Sequence, residues 1–185
     1  MTLTLWSDWL REHPDTTVLD VETGVYPGES YAPESGNDSA YFAYRHQKTT
    51  LFPVPDRSET LGTKDKVFGL VFGDEARAYP FSMFDGAAVV NDELGGRNVL
   101  ILETGDGSGV RAYARENHVF TLSETSTATG PGLILTDEQG ANWQAEEDAL
   151  VSLEGSARSL ERLPSRDAYR FGWYAFYPQT GVYSP

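Results

Sequence analysis

The stretch from Val67 to Leu102, VFGLVFGDEARAYPFSMFDGAAVVNDELGGRNVLIL, constrains the fold of this chain more than any other. Its apolar residues come in short runs, and two of the runs lead into residues that favour turns, Gly73-Asp74 and Gly95-Gly96. Glycine adopts positive φ angles without steric cost, so such pairs are typical of two-residue hairpins. The pattern predicts antiparallel strands, and Pro80 is expected to end one of them because proline cannot donate a ladder hydrogen bond.

Each end of the chain carries a helical pattern. Within residues 4–13, Trp6, Trp9 and Leu10 have the i, i+3, i+4 spacing of one helix face. Towards the other end, Ser165 can cap a second helix, because its hydroxyl can accept a hydrogen bond from a free N–H of the first turn. A short helix is therefore predicted near each end.

Further strand pairs are predicted after the central stretch, 110–114 with 118–122 and 133–136 with 141–144. We therefore predict an α+β fold for residues 1–185 as a single domain, with a mostly antiparallel β-sheet that forms a barrel or a sandwich. The residues expected in its core are Trp6, Trp9, Val67, Leu70, Val99, Ile101, Val119, Leu133, Trp143, Trp173 and Phe176.

Residues 23–48 are rich in Gly, Pro, Ser, Asn and aromatic residues. Disordered segments are poor in aromatic residues, so this segment is interpreted as an ordered loop whose rings lie over a sheet or line a cleft. A short strand is predicted just before it, at residues 18–21.

A short segment near the start of the chain recurs near its end. Trp9, Pro14, Thr16 and Val18 have the same spacing as Trp173, Pro178, Thr180 and Val182. Two short matches do not make a repeat protein. They are consistent with one helix–turn–strand unit used twice, or with chance.

The charge balance is strongly acidic. Asp and Glu number 28 against 14 Lys and Arg, which gives a net charge of −14, and only three of the basic residues are lysines. An acidic surface with few lysines is typical of salt-adapted proteins, in which concentrated salt screens the repulsion, although an ordinary acidic protein has the same sign. Nucleic acid as a partner is excluded by this charge, and binding to anionic membranes is disfavoured.

Cysteine is absent, which excludes disulfides, thiolate metal sites and cysteine nucleophiles. No apolar run is long enough for a transmembrane helix, and the mean hydropathy is −0.41. The first residues lack the basic start and the long apolar run of a signal peptide. We therefore expect a soluble protein, either cytoplasmic or exported with its signal removed.

The candidate catalytic residues are Arg77, Tyr79, Asn91, Asp92 and His118. Tyr79 can donate a proton or a hydrogen bond, and Asp92 can act as a base or a cation ligand. The structural alternative is favoured, because Asn-Asp before a turn commonly hydrogen-bonds its own backbone and Tyr-Pro commonly ends a strand.

Other residues are candidates for ligand binding. Arg45 and His46 belong to a small cationic island, and Glu103 and Arg111 flank a glycine-rich loop and are near enough to pair. Trp143 follows a turn and is expected in the core. The loop at 104–109 lacks the Gly-Lys-Ser/Thr of a P-loop and the spacing of an EF-hand, so a hairpin loop is favoured. The three histidines are far apart in sequence, so a histidine metal site would have to assemble through the fold.

With these elements placed, the chain resembles domain-of-unknown-function family 3179. The matching pieces are Trp9 with His13-Pro14-Asp15-Thr16 and Val18-Leu19, then Leu51 to Val54, Val67 to Leu102, Leu135-Thr136-Asp137, Gly140 with Trp143, and Phe171 to Tyr183. Many members of the family carry a Cys-Pro-x-Cys-Gly segment, whose cysteines fall at Thr104 and Gly107 here. A thiolate role implied by those cysteines is therefore impossible in this chain.

Three functions remain open from the sequence. The first is a ligand-binding or structural module, and the second is a cofactor-free or metal-assisted enzyme with a site around Tyr79, Asn91, Asp92 and His118. The third is an accessory subunit of a larger assembly. The cofactor and the small-molecule or protein partner are unknown at this stage.

Overall fold

The computed structural model describes residues 4–31, 41–55, 58, 60–105, 109–124, 132–155 and 158–185. Within these residues the α-helices are α1 (Trp6–Glu12), α2 (Phe42–His46) and α3 (Arg170–Phe176). The strands are β1 (Lys66–Phe72), β2 (Glu75–Pro80), β3 (Ala88–Leu94), β4 (Arg97–Glu103), β5 (Val110–Ala114), β6 (Phe120–Leu122), β7 (Ile134–Asp137), β8 (Asn142–Ala145), β9 (Ala149–Ser152), β10 (Ser159–Glu161), β11 (Arg166–Tyr169) and β12 (Gly181–Val182). None of the helices in the described part of the chain combines the length and the apolar character needed to cross a membrane.

The strands form three open sheets. The first sheet has the order β11-β1-β2-β12, the central sheet has the order β3-β4-β5, and the meander sheet has the order β10-β9-β8-β7-β6. All pairings are antiparallel except that of β12 with β2. The predicted fold class is confirmed as a β-rich, sandwich-like fold with few short helices.

The central sheet is buried on both faces. Leu100 and Leu102 belong to an apolar cluster with residues of the meander sheet, whereas Val99 and Ile101 belong to a cluster with residues of the first sheet. Alternate side chains of a strand point to opposite faces, so the continuous apolar run of β4 fills two cores at once.

The outer face of the first sheet is covered by α3. Trp173 of this helix lies directly on Gly69 of β1, and a Cβ atom at Gly69 would come within 2.2 Å of the indole ring. The chain then turns at Pro178, and β12 adds to the edge of β2. The C-terminal elements β11, α3 and β12 therefore pack against β1 and β2 in the first sheet.

The hairpins predicted from glycine are confirmed. Phe72 pairs with Glu75 across the first turn and Leu94 with Arg97 across the second. Gly95 has a φ of 57° and Gly96 a φ of 71°, values that favour glycine. The predicted pair of 133–136 with 141–144 is also present, as β7 and β8.

Other local predictions are wrong. β5 and β6 do not pair, because β5 joins the central sheet and β6 the meander sheet. Residues 18–21 form no strand, and Ser165 does not cap a helix, because β11 lies between it and α3. Tyr169 occupies the N-cap position instead.

Four residues expected in the core are exposed: Trp6, Trp9, Val119 and Phe176. Helix α1 presents its tryptophans largely to solvent, Val119 lies between the buried His118 and Phe120, and Phe176 falls in the outer part of the last turn of α3. The other seven predicted core residues are buried.

Substitution at Gly69 tests the packing of α3. We expect Gly69→Ala to lower the free energy of unfolding by about 1–3 kcal/mol, because the new methyl group must displace the buried Trp173 ring. Gly172→Ala is the control, since a Cβ atom there meets nothing within 4 Å and alanine favours the helix by up to about 1 kcal/mol. Urea denaturation measures both, and equal effects would contradict this packing.

Candidate functional site

Three of the candidate catalytic residues meet where the first sheet faces the central sheet. The Arg77 guanidinium donates from Nη1 to Asp92 Oδ2 at 2.6 Å, and the Tyr79 hydroxyl donates to the same oxygen at 2.7 Å. Arg77 also donates to the carbonyl of Glu93 at 3.0 Å. Both donors lie on β2 and point toward β3, because residues two apart on a strand share a face.

The electrostatics of this group favour a fixed hydrogen-bond arrangement. Burial, reinforced by the carboxylate of Asp92, raises the pKa of Tyr79 far above its ordinary value, so its hydroxyl remains a donor. Burial by itself would raise the pKa of Asp92, but hydrogen bonds from Arg77 and Tyr79 outweigh it and lower the pKa. The carboxylate is thus ionised and engaged by both neighbours.

Asn91 points away from this group, toward the meander sheet. Its side-chain Nδ2 donates to the carbonyl of Phe120 at 2.8 Å, and its Oδ1 accepts the Phe120 N–H at 2.9 Å. The amide thereby pairs with both backbone groups of one residue at the start of β6, as a neighbouring strand would.

Asn91 and Asp92 together connect β3 to both other sheets. Their side chains leave opposite faces of the strand, so Asn91 reaches the meander sheet and Asp92 the first sheet. The structure thus brings Arg77, Tyr79 and Asp92 together and places Asn91 in a separate contact. This arrangement favours a structural role for the Asn-Asp pair.

His118 lies in a different group, at the end of the meander sheet. Its Nδ1 is 3.2 Å from Asp137 Oδ2 and 3.8 Å from Glu138 Oε1. Its ring packs against Trp143, with the ring centroids 5.2 Å apart. Asp137 and Glu138 were not singled out in the sequence, because they become neighbours of His118 only through the β6–β7 pairing.

The carboxylates beside His118 are held in place by hydrogen bonds. Asp137 Oδ1 accepts the N–H groups of Gln139 and Ala141, and Oδ2 accepts the indole N–H of Trp143 at 3.0 Å. Burial by itself would raise the pKa of Asp137, but these hydrogen bonds, that of Trp143 foremost, lower it. The predicted position of Trp143 in the core is confirmed, and its indole N–H also orients this carboxylate.

Arg111 forms a second buried ionic group. Its Nε and Nη2 donate to Glu147 Oε2 at 3.0 and 2.9 Å, and Arg162 donates to the other oxygen of the same carboxylate. The strand register places Arg111 opposite Leu102 and Glu103 opposite Val110, so the side chains of Glu103 and Arg111 point to opposite faces. Glu103 accepts the N–H of Gly105 at 2.8 Å.

The cationic island lies on and after α2. His46 Nδ1 is 2.7 Å from the carbonyl of Phe42, and the two rings are 4.2 Å apart. Arg45 lies beside it on the same short helix. Tyr26, Tyr31 and Tyr41 of the aromatic loop are exposed rather than packed over a sheet, while 32–40, like 106–108 of the glycine-rich loop, lie outside the described residues.

A cleft with a volume of about 580 Å³ lies beside Arg162 of the Arg111 ionic group and apart from the Asp92 and His118 groups. Its floor combines Gly69, Trp173 and Tyr177, and its rim carries Arg162 and Arg166. The residues predicted as catalytic or ligand-binding do not line it.

Comparison with known proteins places the chain in a family. The family model for DUF3179, described as a protein of unknown function, matches residues 1–180, so the chain belongs to that family. The resemblance predicted from the sequence is therefore confirmed. Searches among curated proteins and among solved structures found no match.

Substitution of Asn91 tests the connection to the meander sheet. We expect Asn91→Ala to lower the free energy of unfolding by about 2 kcal/mol or more, because the buried N–H and carbonyl of Phe120 lose their partner. Glu93→Ala, at an exposed neighbouring position, should change it by less than about 0.5 kcal/mol. Denaturation curves in constant salt compare the two, and similar effects would contradict the structural role.

The acid dependence of stability tests Asp92. Because the pKa of Asp92 is lowered from 3.8 in the folded state, its stabilising contribution is present above pH 3.8 and is lost as the pH falls through the lower folded value. The difference in unfolding free energy between wild type and Asp92→Asn should therefore be constant near neutral pH and shrink below about pH 4. A difference that does not change with pH would contradict the ionised Asp92 carboxylate as the basis of this contact.

Proposed function

We propose that this member of the DUF3179 family is a binding module that docks onto another protein through its N-terminal helix and the extended segment that follows. This proposal combines two hypotheses from the sequence, a ligand-binding module and an accessory subunit of a larger assembly. The observation that carries it is the internal repeat, whose two copies have the same local structure but different surroundings.

The two copies match in detail. In the N-terminal unit (residues 5–18), the Trp9 indole donates to Thr16 Oγ1 at 2.9 Å, and in the C-terminal unit (residues 169–182), the Trp173 indole donates to Thr180 Oγ1 at 2.9 Å. The tryptophan ring of each unit packs on the residue four positions later, at centroid distances of 4.1 and 4.4 Å. The residues that end the two helices also share their backbone angles.

The surroundings of the copies differ. Trp173 is 2% exposed against Gly69, and Val182 pairs in parallel with Ala78 of the first sheet. In contrast, Trp9 is 36% exposed, and Val18 and Leu19 are 70% and 83% exposed. The N-terminal unit thus has the shape of the docked unit, but its tryptophan and the segment that follows are exposed, while Arg11 and Glu12 line a cleft with Gln144 of the meander sheet. Exposed apolar surface of this kind is typical of interaction sites.

The docked copy indicates what the free copy would bind. In the C-terminal unit, β12 pairs with β2 through the backbone, as in β-strand addition, and Trp173 packs on Gly69. The N-terminal unit also carries two exposed acidic residues, Glu12 and Asp15, besides the buried Asp8 that pairs with Arg11. The partner is therefore a different protein that offers an edge strand with a glycine and basic residues around it, since a second copy carries the same net charge of −14.

The positions of the candidate catalytic residues also support binding over catalysis. Tyr79 and Asp92 hold two sheets together, Asn91 holds a third, and His118 belongs to another group. These four side chains do not converge on one pocket, as an enzyme site built from them would require.

Site-specific photo-crosslinking tests the docking surface. A photo-reactive residue at Leu19 should cross-link, in an extract of the natural source at its own salt concentration, to a protein whose linked peptide lies in a glycine-containing strand. The same probe at Phe176, which is 78% exposed outside the N-terminal unit, is the matched control. Trp9→Ala with Thr16→Ala should abolish the Leu19 product.

Two results would contradict this proposal. Equal amounts of cross-linked product from Leu19 and Phe176 would indicate non-specific association. A product with twice the mass of this chain would assign the surface to a second copy. Because Trp9 and Thr16 lie outside the three apolar clusters, the double variant should keep the unfolding free energy of the wild type within about 1 kcal/mol. A larger loss would mean that the N-terminal unit stabilises this chain itself.

We further propose that the chain is salt-adapted and folds as one unit over residues 1–185. With 28 acidic and 14 basic residues, repulsion opposes the folded state at low salt, and raising KCl from 0.1 to about 2 M reduces the screening length from about 10 Å to below about 3 Å. We expect a single unfolding transition whose midpoint temperature rises with KCl. A midpoint that is highest at low salt would contradict salt adaptation, and two separate transitions would contradict a single unit.

A further inference from the structure

We propose that His118, Asp137 and Glu138 form a binding site for a divalent transition-metal ion such as Zn²⁺. The site lies at the end of the meander sheet. There His118, two residues before β6, meets the end of β7 and the turn that leads to β8. It is separate from the N-terminal unit, so it adds a second binding function to the proposed docking.

The three potential ligand atoms already converge. His118 Nδ1 and one carboxylate oxygen each from Asp137 and Glu138 lie within 4.8 Å of one another. The closest approach, Nδ1 to Asp137 Oδ2, is 3.2 Å, and Nδ1 to Glu138 Oε1 is 3.8 Å. In tetrahedral zinc sites with bonds of about 2.0–2.2 Å, neighbouring ligand atoms are about 3.3–3.6 Å apart, so small shifts suffice to bind the ion.

The histidine nitrogen lacks a hydrogen bond in spite of these neighbours. His118 is only 7% exposed, and its Nδ1 has no hydrogen-bond partner among the described residues. A buried polar atom in this state destabilises the fold, because it has lost its hydrogen bonds to water without gaining a partner. His118 Nδ1 is 3.2 Å from the carboxylate oxygen of Asp137 but is not aligned to hydrogen-bond with it. This geometry is expected of two ligands of one metal ion, because each ligand atom points at the ion and not at the other ligand.

Other residues orient the two carboxylates. The Trp143 indole N–H and two backbone N–H groups fix Asp137, as described above. Glu138 accepts the Val119 N–H through Oε2 at 2.8 Å, and its Oε1, 3.8 Å from His118 Nδ1, accepts the side-chain amide of Gln139 at 3.3 Å. Hydrogen bonds to ligating carboxylates are typical of metal sites, where they set the ligand orientation in advance.

The ligand set indicates the class of ion. One imidazole nitrogen with two carboxylate oxygens suits zinc and similar transition metals, whereas Mg²⁺ and Ca²⁺ prefer oxygen ligands alone. The Glu138 side chain is 39% exposed, so the site opens to solvent on that side. Three protein ligands leave a coordination position for water or for an anionic group of another molecule.

Arg158 opposes metal binding because it approaches the His118 ring, whereas Arg115 donates to the backbone carbonyl of His118 at 2.8 Å. Arg158 Nη2 is 3.4 Å from His118 Nε2 and 3.4 Å from Glu116 Oε2. When Nδ1 binds a metal, Nε2 carries the ring proton, so the arginine, which can only donate, must turn away. Its side chain is 56% exposed and can remain with Glu116, which makes Arg158 a competitor of the ion and not a barrier.

Calorimetric titration of the whole chain with ZnCl₂, after treatment with a chelator, tests the site. We expect one equivalent to bind, and Glu138→Gln should weaken the affinity by about tenfold or more because it removes a charged ligand. Glu154→Gln, at an exposed acidic residue in another turn, is the control and should bind as the wild type does. Arg158→Gln should bind more tightly than the wild type.

Histidine NMR gives an independent measurement. The chain has only three histidines, so the ring nitrogens can be followed individually. Zn²⁺ should change the Nδ1 signal of His118 and leave His13 and His46 unchanged. The proposal would be overturned if zinc did not bind stoichiometrically. It would also be overturned if Glu138→Gln and Glu154→Gln weakened binding equally, or if His13 or His46 responded in place of His118. Either of these two results would mean that zinc binds to the acidic surface in general.

Discussion

The alternation of side chains along β3 is the constraint on which the three-sheet arrangement depends. Two consecutive residues, Asn91 and Asp92, leave opposite faces of this strand and carry polar groups into opposite interfaces. A polar group in an interface is tolerated only when it is satisfied, so each of them requires a particular partner. Asn91 finds the backbone of Phe120, and Asp92 finds Tyr79 and Arg77. The apolar residues around them fill the cores, and these two side chains fix how the sheets are placed.

Local features of this fold were predictable from the sequence, but long-range ones were not. The turn at Gly95-Gly96 could be predicted because the conformational preference lies in the two residues themselves. The partner of Asn91, Phe120, lies 29 residues away along the chain, and the contact forms only because β6 belongs to the meander sheet and not to the central sheet. No spacing rule links the two, so the residues were recognised as special while their contacts were not.

The two helix–turn units show a second limit of sequence reasoning. Trp9 and Trp173 occupy equivalent positions in matching patterns, yet one is exposed and the other buried. Periodicity indicates which face of a helix is apolar but does not indicate whether a surface is present to cover it. Trp9 therefore has the sequence pattern of a residue with a partner but lacks the cover that Trp173 has, as the proposed docking requires.

The candidate metal site depends on the same strand pairing that the sequence did not predict. His118 meets Asp137 and Glu138 only because β6 pairs with β7. The acidic residues that the composition assigns to solvation therefore include two that are held by hydrogen bonds beside a buried histidine. The proposed docking surface and the proposed metal site lie on different parts of a scaffold that β3 holds together.

The central claim is that Asn91 and Asp92 join the three sheets, and amide hydrogen exchange measured segment by segment tests it most directly. Asn91→Ala should increase exchange in β6 and β7 and leave the first sheet protected, whereas Asp92→Asn should increase exchange in β2 and leave the meander sheet protected. Uniform changes throughout the chain, or none in either variant, would contradict the claim that each side chain holds its own interface.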